Sequence, residues 1–347
     1  MNTLRTVSFC LFVAAWALSA QSRSPQSKNL DIYWIDVEGG AATLIVTPSG
    51  QSLLVDTGNP GPNDRDPKRI YEAAKAAGLS KIDMLLITHF HGDHVGGAPA
   101  LSKMIPIEKF YDHGDSIEAG NSPQTAKLWD DYKTISEGKR SIVKPGDKIA
   151  LKGMDVTVVS ANGEVIAKPI NGGGPNEFCK DAQTHDTDKT ENGRSAGFLL
   201  TYGKFKFLDV GDLTWDREMM LACPVNKVGT VTLFQATHHG FVNGQSGAPA
   251  LIWAIKPQVI VVNNGPRKGL EGAAWDTITK VAGLEDTWQV HRALKNDTSQ
   301  NTAEAQTANL EETAECKGQW LKASVSKDGK FTVTNSRNNF SKSYVAR

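Results

Sequence analysis

The sequence predicts an α/β protein built as an αββα sandwich, two mixed β-sheets packed face to face with helices outside. Three observations predict it. Short apolar runs of strand length alternate with helix-length amphipathic segments along most of the chain. A run of strands leading into a polar, ligand-rich loop occurs twice, and two such halves bury their apolar faces against one another. The 347 residues, 39% hydrophobic and 22% charged, supply a full core and disfavour disorder.

In chain order, residues 1–20 carry Arg5, an apolar stretch over 7–18 and small residues at Ser19 and Ala20. This is the pattern of a cleaved signal peptide, which places the mature protein outside the cell or in a periplasm. An uncleaved anchor is the alternative, disfavoured because the apolar stretch falls short of the roughly 20 residues a spanning helix needs. No membrane span is expected in the mature chain. Residues 21–29 read as a linker, and 30–347 as a single domain closed by a C-terminal hairpin.

The domain begins with apolar segments at 30–37, 42–46 and 52–56, separated by Gly39-Gly40 and Pro48-Ser49-Gly50, which together read as a β-meander. Residues 64–77 read as a helix stopped by Gly78, and 82–87 as a buried strand. A helix over 98–104, a strand over 109–112, a helix over 123–135 and strands near 148–151 and 154–160 follow. Residues 162–194 lack periodicity and read as a long surface loop of the kind that usually serves function or is disordered.

The second half brings strands at 196–202 and 206–210, a helix at 215–221, a strand at 231–236, a helix at 248–254, a strand at 258–262, a helix at 273–282 and a strand at 287–291. A polar stretch over 296–315 precedes the hairpin of 320–326 and 330–335 around Asp328-Gly329.

The 38 basic and 38 acidic residues balance, so no overall field favours nucleic acid or an anionic membrane. Cys10 lies in the leader, leaving Cys179, Cys223 and Cys316. One disulfide and one free thiol fit an oxidising compartment, with the pair left open, and no CxxC supports a thiolate zinc site.

The chemistry lies in ITHFHGDHVGG, residues 87–97, which sets His89, His91, Asp93 and His94 within six positions behind a buried strand. A lone histidine is more often structural, but four ligand-type residues at this density read as a metal site. In extended chain i and i+2 share a side, so His89 and His91 can grip one ion. Asp93 and His94, beyond the bend at Gly92, face elsewhere and can serve a second. Asp212 in VGDL and His238-His239 in THHGF each follow another apolar strand, so all three stretches can meet on one rim. GRSAG, 193–197, mimics a serine-nucleophile elbow but lacks the strand before and helix after that the elbow needs.

These three stretches, together with Asp56 in LLVDTG, resemble in content and order the motifs of the metallo-β-lactamase-fold hydrolases. The resemblance covers about residues 30–295, and SAGFLLTYGKFKFLDVGDL followed by THHG is most similar to the ComEC-type branch. It implies that His89 and His91 bind a first metal, that Asp93, His94 and His239 bind a second, and that Asp212 bridges them. His238 would face the substrate, although the order of the two histidines stays open. Asp93 and His238 are the residues placed closest to the catalytic chemistry. The histidine that completes the first site in most relatives has no marked counterpart; His185, His113, Ser195, Asn192 or water are the alternatives. Asp56 would fix a histidine tautomer.

The expectation is therefore a secreted hydrolase with two divalent ions, zinc foremost and manganese or iron accepted by the same ligands. A hydroxide shared by ions roughly 3.5–4 Å apart would attack a phosphodiester or related ester bond. A lactonase or other carboxylic-ester hydrolase is the alternative, and an inactive metal-binding scaffold the alternative of another class. True β-lactamase activity is disfavoured, because those enzymes lack the bridging aspartate. The substrate is expected to be a small molecule or ester, nucleic acid is disfavoured by charge, and the oligomeric state is open.

Overall fold

The computed structural model describes residues 28–313 and 316–347. The proposed leader, most of the linker and Cys10 lie outside them. Among the described residues, seventeen strands form two sheets. In the first half lie β1 (Leu30–Trp34), β2 (Thr43–Val46), β3 (Ser52–Val55), β4 (Met84–Leu86), β5 (Phe110–Asp112) and β6 (Arg140–Ile142). The second sheet takes β7 (Asp155–Ala161), β8 (Glu164–Val165), β9 (Gly197–Tyr202), β10 (Phe205–Asp209), β11 (Leu233–Gln235), β12 (Val259–Val262), β13 (Asp286–His291) and β14 (Thr307–Asn309). The chain ends in β15 (Leu321–Val325), β16 (Lys330–Asn335) and β17 (Ser341–Val345), which return to the first sheet. Its order is β17-β16-β15-β1-β2-β3-β4-β5-β6.

Both sheets are mixed. The meander β1–β3 is antiparallel, and β3 to β6 then run parallel; in the second sheet β10 to β14 run parallel. Both faces of the inner strands are covered, which is why they read as continuous apolar runs. Period-two alternation distributes their side chains. Leu30, Ile32 and Trp34 enter the core between the sheets with Phe198, Phe207 and Trp288, whereas Tyr33 and Ile35 face the outer helices. In β12, Val259 and Val261 face the inner core, and Ile260 and Val262 face outward.

On the first sheet lie α1 (Arg65–Ala76), the single turn α2 (Gly92–Val95), α3 (Ala98–Met104) and α4 (Pro123–Ser136). Gly78, at φ 77, ends α1 as expected, its N–H reaching the Lys75 carbonyl. A capping box of Ser122 and Thr125, with Pro123 at the first position, starts α4. On the second sheet lie α5 (Trp215–Ala222), the short turn α6 (His238–Phe241), α7 (Pro249–Ile255) and α8 (Gly272–Thr279). No helix among the described residues is long and apolar enough to cross a membrane.

Several expectations are corrected. Residues 148–151 form no strand, only a bridge from Lys148 to Thr157. The closing hairpin is three strands, because β17 extends it. β14 also lies in the stretch expected to be polar chain, and β6 in a segment to which the sequence assigns no element. The long loop 162–194 carries β8 and two 3-10 turns and is bonded to α5 by the Cys179–Cys223 disulfide, with Cys316 free.

Candidate metal centre

The candidate site lies where parallel strands of both sheets end. Asp56 follows β3, the His-rich loop follows β4, Asp212 follows β10 and the two histidines follow β11. Open α/β sheets place ligands at the carboxyl ends of their strands because loops there converge while the sheet fixes their bases.

Asp56 sits at φ 59, a left-handed conformation that aspartate tolerates, and is buried. Its carboxylate accepts from the Thr88 N–H (2.8 Å), the Thr88 hydroxyl (2.7 Å) and His94 Nδ1 (2.7 Å). A proton on His94 Nδ1 leaves Nε2 for the centre, the tautomer control expected of this aspartate. The Thr88 hydroxyl donates its single hydrogen to Asp56, so toward His89 Nδ1, 3.1 Å away, it can only accept. His89 Nε2 therefore carries a lone pair.

His91 is oriented likewise: Glu118 Oε2 lies 3.3 Å from its Nε2, which leaves Nδ1 as the lone-pair atom. The lone-pair nitrogens of His89 and His91 then face each other at 3.1 Å. Two lone pairs repel at that distance unless a cation lies between them, and two zinc bonds of about 2.0–2.1 Å at a tetrahedral angle give nearly this spacing. The i, i+2 pair thus turns two ring nitrogens toward one point, beside but outside the carboxylate and imidazole group described next.

The other residues gather around Asp212. Ligand atoms of Asp93, His94, Asp212 and His239 lie within 4.8 Å of one another. Asp212 Oδ2 is 3.2 Å from His94 Nε2 and 3.3 Å from the Nε2 atoms of both His238 and His239; Asp93 Oδ2 is 3.3 Å from His239 Nε2. Yet His94 Nε2 and His239 Nε2, both buried, make no hydrogen bond. Buried nitrogens without partners are rare and costly, and their convergence on two carboxylates fits a divalent cation.

The electrostatics agree. Burial would raise the Asp212 carboxyl, but His239, His94 and His238 hold it well below the usual range, so it is ionised. Burial would lower His94, but the carboxylates of Asp212, Asp56 and Asp93 raise it well above the ordinary imidazole value. Three carboxylates thus favour positive charge at this point, whether a proton or an ion supplies it.

His239 joins the group of four; His238 meets it through Asp212 and through a T-shaped ring contact with His239 at 5.8 Å, and its Nδ1 lies 3.4 Å from Ser246 Oγ. Both occupy left-handed backbone, at φ 55 and 50, and with Gly240 and Phe241 make four positive-φ residues in a row. Such strain persists where surrounding packing over-determines it. Gly240 is required: at φ 92 a Cβ would lie 2.6 Å from the Leu270 nitrogen.

The open candidates for the first site fall elsewhere. His185 is exposed and stacks on Trp215 at 4.2 Å. His113 is buried with Nε2 on Glu191, 2.9 Å. Ser195 Oγ lies 3.5 Å from His89 Nδ1, on the far side of that ring from His91, and Asn192 keeps a buried Oδ1 without a partner. Glu118, Glu191 and Lys268 were not signalled by the sequence. Glu191 receives the Phe90 N–H inside the His-rich loop, together with the Ser116 hydroxyl and the Ile117 N–H. Burial would raise it, but His113 and these donors hold it down to about 2. Lys268 pairs with Asp93 Oδ2. Each lies on a loop in a polar neighbourhood with no motif of its own.

A second cluster, Asp36, His291 and Cys316, also brings its ligand atoms within 4.8 Å. There the Arg69 guanidinium pairs with Asp36 at 3.2 Å and donates to the Cys316 carbonyl at 2.8 Å.

Parts of the chain are similar to known proteins. A UPF0173 metal-dependent hydrolase of Cupriavidus metallidurans is 40% identical over 82 residues, 22% of this chain and 25% of that protein. Another from Anaeromyxobacter dehalogenans is 28% identical over 185 residues, 50% of this chain and 61% of its own length. The matches thus span less than two thirds of these relatives. The metallo-beta-lactamase fold protein YhfI of Bacillus subtilis superposes with a TM-score of 0.45 at 14% identity, covering 75% of this chain and 95% of that one. The fold is that of the metallo-β-lactamases, and residues 35–175 match the sequence model of the metallo-beta-lactamase superfamily.

Proposed function

We propose that the protein is a secreted, dinuclear metal-dependent hydrolase of phosphodiester or related ester bonds, of the ComEC-type branch. The observation that carries this reading is Asp212, whose Oδ2 lies 3.2–3.3 Å from three imidazole nitrogens contributed by the two sheets. A carboxylate so placed is suited to bridging two ions. His89 Nε2 and His91 Nδ1 would hold the first ion; Asp93, His94 Nε2 and His239 Nε2 would hold the second. When bound, such ions lower the pKa of water toward 7 and polarise the oxygens of the scissile group.

The chain supplies the rest. Asp56, Glu118 and Thr88 keep the outer nitrogens of His94, His91 and His89 protonated and the inner ones free, and Glu191 pins the backbone between His89 and His91. His238 faces Asp212 from beside the group of four, where it can orient the leaving oxygen. The disulfide between Cys179 and Cys223 supports an oxidising compartment, in keeping with export.

The test is metal analysis together with a substrate screen on reconstituted protein. Two equivalents of zinc are expected, with hydrolysis of bis(p-nitrophenyl) phosphate that falls more than about a hundredfold in Asp212→Ala, beyond the span typical of residues outside the ligand shell. A fully loaded protein inert toward phosphodiesters, phosphomonoesters, lactones and thioesters would overturn the reading in favour of a scaffold. Turnover confined to lactones would establish the carboxylic-ester alternative.

A further inference from the structure

We propose that Lys268 is the anion-recognising group of this centre, so that the preferred substrate carries a negative charge beside its scissile bond. The inference rests on the hydrolase reading and sharpens it, since it separates an anionic phosphodiester from a neutral lactone.

Among the described residues, Lys268 is the lysine or arginine that pairs with a member of the group of four; Asp212 pairs with histidines alone. It also stands on the solvent side. The Lys268 side chain is 38% exposed and that of Asp93 20%, whereas those of His94, His239 and Asp212 are at most 4% exposed. A substrate entering from solvent meets this ammonium before the buried ligands.

The base of Lys268 is fixed although its stem is flexible. Its carbonyl receives the Gly265 N–H at 2.9 Å, and the following residues pack on the histidine turn, Leu270 N–H reaching the His239 carbonyl at 3.1 Å. A Cβ on Gly269 would fall 1.9 Å from that same carbonyl oxygen. On the other side, Gly39 makes room: a Cβ there would stand 3.0 Å from Lys268 Cβ. Loops of both sheets therefore hold the residue against the centre, the arrangement expected of a recognition group rather than of a solvated lysine.

The chemistry follows from the competition for Asp93. Lysine is a compact point charge on a four-carbon stem, and here its charge lies on a carboxylate that the centre would use as a ligand. With Asp93 engaged by a cation, the ammonium loses most of its acceptor and turns to the nearest anionic oxygen, one on the substrate. The carboxylate of Glu118 lies by His91 and not by Lys268, so it does not quench this charge locally. A neutral lactone offers the ammonium only a weak carbonyl acceptor, whereas a phosphodiester offers an ionised oxygen and a charge-assisted bond.

The test uses metal-loaded full chain, wild type, Lys268→Met and Lys268→Arg, with zinc content measured throughout. Inorganic phosphate binding by calorimetry reads the site without turnover. We expect Lys268→Met to weaken phosphate about ten- to a hundredfold, the range of a hydrogen bond to a charged group, with Lys268→Arg retaining most of the affinity. The ratio of kcat/KM for bis(p-nitrophenyl) phosphate to that for a neutral p-nitrophenyl ester should fall at least tenfold in Lys268→Met, mainly through KM. Equal losses on both substrates, a fall in zinc content, or unchanged phosphate affinity would overturn the proposal. A wild type that hydrolyses neither substrate but binds phosphate through Lys268 would sink the hydrolase reading alone.

Discussion

Two clusters of metal-type side chains occur among the described residues, and they differ in the source of their positive charge. Asp36, His291 and Cys316 enclose an anionic oxygen that Arg69 already neutralises at 3.2 Å, from a guanidinium only 10% exposed. Around Asp212 the carboxylates have one partly exposed lysine between them, while two buried histidine nitrogens lack hydrogen bonds. In both clusters the ligand atoms lie within 4.8 Å of one another. What separates them is whether the fold supplies its own cation. A buried carboxylate needs a partner; an arginine makes the cluster structural, and its absence leaves a place for an ion.

The comparison can be broken most directly at Arg69. Replacing it with Met would leave Asp36 buried beside Glu38 without its guanidinium, and we expect a loss of about 3–5 kcal/mol in urea unfolding with the zinc content of the folded fraction unchanged. Unchanged unfolding in Arg69→Met would mean that the guanidinium is not what holds the buried Asp36 carboxylate. Asp56→Asn probes the other cluster. Two of its three hydrogen bonds can survive, but the histidine loses a charged acceptor, so zinc affinity should fall about ten- to a hundredfold in chelator competition while unfolding changes less. The smallest effect belongs to Cys316→Ser: zinc stoichiometry should stay the same, and a drop of one equivalent would assign metal to the wrong cluster.

The same contrast explains what the sequence could show. HFHGDH codes its chemistry within one turn, so His89, His91, Asp93 and His94 were legible from spacing alone. Asp212 and His239 needed the resemblance, because a Gly-Asp turn or a histidine pair taken singly has many structural uses. Glu118, Glu191 and Lys268 were missed because each acts across a fold-dependent gap; Lys268 and Asp93 are 175 residues apart. The inner strands were visible as runs buried on both faces. β17, with only Tyr344 of its five residues buried, is an edge strand whose serines and lysine imitate a loop. The segment over 148–151 misled in the opposite direction: Ile149 and Leu151 are buried, but the chain meets β7 by an isolated bridge and a few backbone bonds rather than as a strand.

The centre's position also has a mechanical side. Asp93 and His94 hang from the end of β4 in one sheet, and Asp212 and His239 from β10 and β11 in the other. An ion held by all four is a cross-link between the two halves of the sandwich, anchored at one rim while the aromatic core between the sheets holds the middle. Metal affinity then appears in the unfolding free energy, since the unfolded chain scatters these ligands over some 150 positions. Chelation would act like cutting a stitch, loosening that rim of the seam before either sheet melts.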